Sequence, residues 1–384
     1  MANERHESEA PSVVLPSSAS ALISRPVKAI DAPASAATAA KRIRAQVLTA
    51  LRLPFLAMRV LVTGGAGFIG SHFAKRLAAA GDEVAVLDKL TYSGNRANLH
   101  GTDVEFFEGD ICDPEAIAEA GAGAEAIVNF AAETHVDRSI LGAAEFIETD
   151  VLGTYVLLRF ARDAGIRLVQ VSTDEVYGDV PEGRSSKEDD PLRPSSPYSA
   201  SKAGGDLQVL AAVRTFGIDA CVTRGANTYG PSQYPEKLIP LFVTNALDGE
   251  PLPVYGDGRQ QREWLHVRDH CTAVELVLRE GRPGETYNIG GDQHENLELT
   301  TRILELTGAD PRLVRHVDDR PGHDRRYALD DAKLRAAGWV PEVSLGAGLA
   351  ETVAWYREHR AWWEPIKSGE YREYYRQQYA ERLR

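Results

Sequence analysis

The apolar run Val60-Leu61-Val62-Thr63 passes directly into Gly64-Gly65-Ala66-Gly67-Phe68-Ile69-Gly70, and an amphipathic stretch, Ser71–Ala80, follows. This strand, glycine turn and helix constrain the chain more than any other feature. One glycine permits the tight turn, one lets a pyrophosphate approach the backbone, and one allows close helix–strand packing. The helix N-terminus then faces the phosphates. A glycine pattern alone is a weak signal. Set between strand and helix, and followed by Asp88 at the end of the next apolar run, it predicts a dinucleotide site. An acid there accepts from ribose hydroxyls and repels a 2′-phosphate, which favours NAD over NADP; Lys89 softens that preference. Asp110, ending the third run, is placed to reach an adenine or, equally, to cap the helix beginning near Pro114.

The same alternation continues. Apolar runs at Arg59–Thr63, Val84–Asp88, Val104–Gly109, Ala126–Ala132, Leu168–Ser172 and Ala220–Arg224 are separated by helical stretches, among them about Ala143–Ala164 and Pro197–Phe216. Continuous apolar strands joined by helices predict an α/β fold, a Rossmann-type doubly wound parallel sheet covered on both faces. Past Tyr229 proline and glycine become frequent, which predicts a smaller, loop-rich C-terminal substrate lobe. One return to the sheet is expected at Thr286–Ile289, and a helix at Leu349–Trp363 whose tryptophans pack against the body. The expected division is residues 58–230, with the return strand near 286–289, for the NAD-binding domain. Residues 231–384 would form mainly the substrate-binding lobe and C-terminal helix.

Residues 1–57 are different material. Met1 to Ala40 is rich in Ala, Ser and Pro without a strand or helix period and is expected to be disordered. Lys41 to Ala57 is basic and apolar and is expected to form a short helix. No small-residue cleavage site follows it, which argues against a signal peptide. Met58, directly before the first strand, is a plausible natural start, and residues 1–57 are expected to contribute nothing to catalysis. The net charge of −13 argues against a nucleic-acid or anionic-membrane binder. A phosphorylated small substrate remains open, because a few local cations suffice to hold one. No apolar run reaches membrane-spanning length. Cys112, Cys221 and Cys271 are far apart and read as reduced thiols of a cytoplasmic protein.

Tyr198 and Lys202 stand four apart on one predicted helical face. A nearby ammonium and a nicotinamide cation are expected to lower the phenol's pKa, so that Tyr198 takes a proton from a sugar hydroxyl. The fifth run ends in Ser172-Thr173-Asp174-Glu175-Val176-Tyr177-Gly178, and strand carboxyl ends face the ligand in such sheets. Thr173 is placed to hydrogen-bond the reacting hydroxyl. Two adjacent carboxyl groups at one site favour different protonation states. On a regular strand, however, Asp174 and Glu175 would point to opposite faces. Both serve one site only if the strand opens at Asp174. His266 and His270 have the spacing of a metal pair, but no accompanying carboxylate is suitably placed, and no metal is expected.

These segments are similar to those of the extended short-chain dehydrogenase/reductases, and within them the dTDP-glucose 4,6-dehydratase family. The resemblance runs from Met58 to about Tyr379. Its motifs are Gly64–Gly70, Asp88–Asn95, Ala131–Ser139, Ser172–Gly178, Tyr198–Lys202, Pro235–Pro240, Arg262-Glu263-Trp264 and Arg320–Tyr327. It implies oxidation of a hexose at C4, elimination of water across C5–C6 and hydride return to C6, in deoxysugar biosynthesis. Asp174 would be the acid for the 6-hydroxyl and Glu175 the base for the C5 proton. Tyr198 would be the base for the 4-hydroxyl, supported by Lys202 and Thr173.

The resemblance also implies NAD contacts. In the first half of the fold these come from Gly64, Gly67, Phe68, Ile69 and Gly70, then Asp88, Lys89, Leu90 and Thr91. Asp110, Ile111, Ala131, Ala132, Thr149 and Thr228 follow, with Tyr198 and Lys202. The nucleotide sugar would be held by Thr134, Thr173, Asn227, Lys237, Leu238 and Pro253, then by Tyr255, Arg262, Asn296, Arg320 and His323. Members are usually homodimers through two helices of the sheet domain. The chain departs from the family at Thr134, where Ser is frequent, at Asp150, where Asn is frequent, and at Asn227-Thr228, where Asn-Asn is frequent. Alternatives are a nucleotide-sugar 4-epimerase or a UDP-glucuronate decarboxylase, and, from another class, a non-catalytic NAD-binding scaffold. An epimerase needs no acid pair at the strand end, and a scaffold would not need Tyr198 and Lys202 intact.

Overall fold

In β1 (Arg59–Thr63), Val60 and Val62 pack into one hydrophobic cluster and Leu61 into another, all three fully buried. A strand with both faces apolar requires cover on both sides. The computed structural model describes residues 56–368 and 370–379. The expectations of disorder to Ala40 and of a helix from Lys41 lie outside these residues, apart from Leu56 and Ala57.

The further strands are β2 (Glu83–Asp88), β3 (Glu105–Glu108), β4 (Ala126–Asn129), β5 (Arg167–Thr173), β6 (Ala220–Gly225), β7 (Asn227–Tyr229), β8 (Leu252–Tyr255), β9 (Gln261–His266), β10 (Thr286–Ile289), β11 (Asp292–Glu295) and β12 (Val314–Val317). Seven form one sheet in the order β10-β6-β5-β4-β1-β2-β3, with every pair parallel. The return strand pairs with β6, as expected. Phe68–Ala80 and Val267–Glu280 cover one face; Pro114–Ala120, Thr154–Ala164 and Pro197–Phe216 cover the other. Connections reverse direction between β1 and β4, which opens the crevice where such sheets bind ligands.

The second half is more regular than its proline content suggests. Pro240 sits in the first turn of the helix Leu238–Asp248, where its missing N–H costs little. Pro253 lies in β8 of a two-stranded sheet, an edge position. A separate core joins this helix to Asn296–Thr307 and Leu345–Glu358. A last helix, Glu370–Tyr379, lies beyond the expected C-terminal helix, which is divided at His359 into Leu345–Glu358 and a short helix, Arg360–Trp363. Its tryptophans do pack: Trp363 Nε1 donates to Tyr356 O (2.7 Å) and Trp362 Nε1 to Asn98 Oδ1 (3.1 Å).

Two differences bear on the site. The expected helix over 143–164 contains a π-helical turn, Glu148–Gly153, and an unexpected helix, Val136–Leu141, precedes it. Strand β5 stops at Thr173, and Asp174–Tyr177 forms a 3-10 turn, so the opening required at Asp174 is present.

Candidate active site

The glycine loop is shaped by close approach. Gly64 has φ +66°, and a Cβ there would stand 2.5 Å from Ala131 N; a Cβ on Gly70 would stand 2.3 Å from Gly64 O. Both positions exclude a side chain. Gly67 caps the helix without a side-chain bond, leaving the first helical N–H groups directed at the cleft. Asp88 is buried and ties two loops together: Oδ2 accepts from Ala66 N (2.9 Å) and Oδ1 from Leu90 N (2.8 Å). Burial raises its pKa. This clamp holds Leu90 at φ +52°, a conformation a leucine rarely adopts.

A cleft lined by Gly64, Gly67, Phe68, Ile69 and Gly70 continues past Asp88, Lys89 and Thr91 to Asp110 and Ile111. Ala131, Ala132, Thr149 and Thr228 line it further, and Tyr198 and Lys202 close it at the strand ends. Leu90 is the exception among the expected cofactor contacts: it does not line the cleft, and its side chain packs against the core. Asp110 does not cap the following helix; Asp113 does, accepting from Glu115 N, while Asp110 accepts from Cys112 N. Lys89 Nζ bridges the cleft wall, 3.3 Å from Thr149 Oγ1 and 3.5 Å from Asp110 Oδ2. An uncapped helix N-terminus beside glycines that admit no Cβ, in a long cleft, fits a dinucleotide.

A second cavity is lined by Pro253, Tyr255, Arg262, Asn296, Arg320 and His323, and the two meet at Glu175, Asn227, Glu236, Lys237, Leu238 and Trp264. Thr134 and Thr173 face the first cavity. Every expected substrate contact therefore lines one of the two. The cations are held in place: Arg320 Nη1 donates to Asp137 Oδ1 (2.8 Å), Arg262 Nη2 to Asp324 O (2.8 Å), and Lys237 Nζ to Thr134 O. Tyr255 OH donates to Asp137 Oδ2 (2.9 Å). The oxygens Asn227 Oδ1 and Asn296 Oδ1 are buried without a donor among the described residues.

Thr173 caps the 3-10 turn. Its Oγ1 accepts from Glu175 N (3.3 Å) and donates to Asp174 Oδ1 (3.1 Å). The two acids face different surroundings. Burial pushes Asp174 well above the usual carboxyl range, and the carboxylates of Glu175 and Glu263 push it further. Burial also raises Glu175, but Arg320, Lys237 and Arg262 oppose it. The charges acting on Asp174 are thus mainly anionic, with Arg262 opposing them, and those acting on Glu175 mainly cationic, with Asp324 opposing them.

The protein's own groups act on Tyr198 in the direction opposite to a nicotinamide cation. Burial, then Glu175 and Asp150, push its hydroxyl well above the ordinary value, rather than below it. The Lys202 ammonium is engaged elsewhere, donating to Val171 O (2.8 Å). His266 and His270 hold no common partner among the described residues. His270 Nδ1 meets Thr228 Oγ1 (2.6 Å), His266 Nδ1 accepts from Arg268 N, and burial lowers both to about 4. Sequence reasoning gave no role to Glu263, Trp264, Asp137 or Glu236. Glu263 accepts from Leu329 N and Gly291 N, and Glu236 accepts from Tyr92 OH and Arg138 Nε. Their family segments were visible, but nothing local marks the distant partners.

Comparison with known proteins agrees with this geometry. A dTDP-glucose 4,6-dehydratase of Streptomyces niveus is 55% identical over 81% of this chain and 96% of its own. The crystal structure of a dTDP-glucose 4,6-dehydratase from Streptomyces venezuelae, solved with NAD bound, is 57% identical, with TM-score 0.79 over 81% of this chain and 100% of that one. A UDP-glucose 4-epimerase of Thermus thermophilus, in complex with NAD, is 36% identical, with TM-score 0.75 over 79% of this chain and 100% of that one. The profile of the NAD dependent epimerase/dehydratase family matches residues 60–290. By its fold, its cleft and these matches, the chain belongs to the NAD dependent epimerase/dehydratase family.

Proposed function

We propose that this chain is an NAD-dependent hydro-lyase, a dTDP-glucose 4,6-dehydratase converting dTDP-glucose to dTDP-4-keto-6-deoxyglucose. The observation that carries the reading is the pair of buried acids in the turn after one strand, Asp174 with mainly anionic neighbours and Glu175 with mainly cationic ones. Elimination of water needs one group that holds a proton and one that lacks it. NAD, when bound, would supply reversible hydride transfer: the hydride taken from C4 is the one returned to C6, so the cofactor ends as it began.

Tyr198 accepts the proton of the sugar 4-hydroxyl, with Lys202 beside it and Thr173 hydrogen-bonding the same oxygen. The C4 ketone makes C5–H acidic, and Glu175 removes that proton. Asp174 gives its proton to the 6-hydroxyl, which leaves as water. Glu175 then returns a proton to C5. Lys237, Arg262 and Arg320 are suited to the diphosphate, with Asn296, His323 and Tyr255 around the nucleoside end. Residues 58–230 with β10 would bind cofactor and 231–384 mainly substrate, with catalysis independent of 1–57.

A homodimer in the cytoplasm is the proposed setting. Large apolar side chains are exposed on adjoining helices, Leu141, Ile147, Leu152 and Tyr155 on one side, Leu207 and Phe216 on the other, which supports burial by a second copy. No helix among the described residues is long and apolar enough to cross a membrane.

The reading is tested by incubating the protein with dTDP-, UDP-, CDP- and GDP-glucose and recording product masses. Loss of one water from dTDP-glucose is expected. An unchanged mass with dTDP-glucose, together with isomer formation from UDP-glucose, would overturn it in favour of an epimerase.

A further inference from the structure

The π-helical turn Glu148–Gly153 has a consequence for the helix packed against it. A π turn inserts a residue and redirects side chains, and such turns occur often at functional sites. Here it directs the wholly buried side chain of Asp150 at Pro197–Phe216, the helix carrying Tyr198 and Lys202. The helices touch: a Cβ on Gly205 would stand 2.7 Å from Asp150 O. That carbonyl accepts from Thr154 Oγ1 at 2.7 Å. The carboxylate accepts from Ser201 Oγ through Oδ2 (2.7 Å). Its Oδ1 has no hydrogen-bond partner among the described residues and lies 3.7 Å from Lys202 Nζ.

Packing does not require this charge. An amide of the same shape would fill the site and still accept from Ser201. Burying a carboxylate is costly unless it is paired, and the pairing group here is Lys202. The charged groups facing Asp150 are Lys202 and Asp206 on the Tyr198 helix and Glu133 after β4. Those facing Tyr198 are Glu175 and Asp174 from the turn after β5, Asp150, and Lys237, 6.0 Å from the ring centre; Lys202, one turn along the same helix, lines the same cleft. Burial pushes Asp150 up to about 6 against the pull of Lys202 and Ser201, and the ion pair with Lys202 at 3.7 Å favours its charged form.

We propose that Asp150 is a positioning residue whose carboxylate offsets the charge of Lys202 and thereby sets the pH at which Tyr198 becomes a base. The proposal rests on Tyr198 being the base in the dehydratase reaction. The effect on the phenol is nevertheless observable without turnover.

The experiment follows tyrosine ionisation by ultraviolet difference absorbance in the full-length holoenzyme, subtracting the Tyr198→Phe variant so that only Tyr198 is read. The acid limb of the kcat/KM profile is recorded in parallel. Removing the negative charge in Asp150→Asn or Asp150→Ser is expected to move both midpoints down by roughly one pH unit. Ser201→Ala keeps both charges and is expected to leave the tyrosine midpoint near wild type. An unmoved or raised tyrosine midpoint in either folded Asp150 variant overturns the proposal, as does an equal downward shift in Ser201→Ala. Failure of the dehydratase reading looks different: wild type would release no water at any pH while the tyrosine midpoint still moved.

Discussion

Thr173 Oγ1 lies between the two acids, donating to Asp174 Oδ1 at 3.1 Å and accepting from the Glu175 backbone N–H at 3.3 Å. One hydroxyl therefore ends the strand, caps the turn and orients a carboxyl group. Thr173→Val keeps the shape and removes both bonds. A lost hydrogen bond of about 1–1.5 kcal/mol corresponds to roughly a tenfold fall in kcat. Steady-state kinetics should show that fall, with Thr173→Ser close to wild type.

Asp174→Asn removes the proton donor for the 6-hydroxyl while leaving Tyr198 and Glu175 in place. Water loss should fall by roughly 10²–10⁴-fold, the range for a positioned acid. Exchange of C5–H with solvent deuterium should continue, read by NMR of the recovered sugar nucleotide. Parallel loss of exchange and elimination would show that Asp174 acts before the elimination step.

Gly64→Ala tests the loop. Its φ of +66° and the 2.5 Å approach of a Cβ to Ala131 N leave no room for a methyl group. Strain of about 1–3 kcal/mol is expected at such a position. The purified variant should retain less bound dinucleotide per protein chain than wild type, measured by chromatography of the nucleotide released on denaturation.

Part of this site was readable in the chain and part was not. The glycine loop and the end of β5 are contiguous, so their residue types reveal their backbone demands directly. The break at Asp174 followed from requiring two neighbouring acids to serve one site. The meeting of Asp174 with Glu263, and of Arg320 with Asp137, depends on strands and loops far apart in sequence, and no local pattern encodes it. The π turn was hidden because Glu148–Gly153 has the composition of a continuing helix. The second lobe was underestimated because Pro240 and Pro253 occupy positions where proline is tolerated.

Glu133 gives a pH prediction. Burial pushes its carboxyl up to about 7, with Lys89 Nζ 4.0 Å away opposing this. Its folded pKa is raised above the unfolded value near 4.5, so the folded state binds more protons between these values. The contribution to stability is complete below about pH 4.5 and is lost as pH rises through about 7. The loss is of order 3 kcal/mol at most. Thermal unfolding measured across that range should show a falling Tm in wild type and a flatter profile in Glu133→Gln.

The central claim is that Glu175 takes the C5 proton after Tyr198 has begun the oxidation, and Glu175→Gln in deuterated buffer tests it most directly. The near-ultraviolet absorbance of reduced nicotinamide should still rise when dTDP-glucose is added, while deuterium fails to enter C5. Deuterium entering C5 at the wild-type rate in that variant would contradict the assignment and move the base elsewhere in the site.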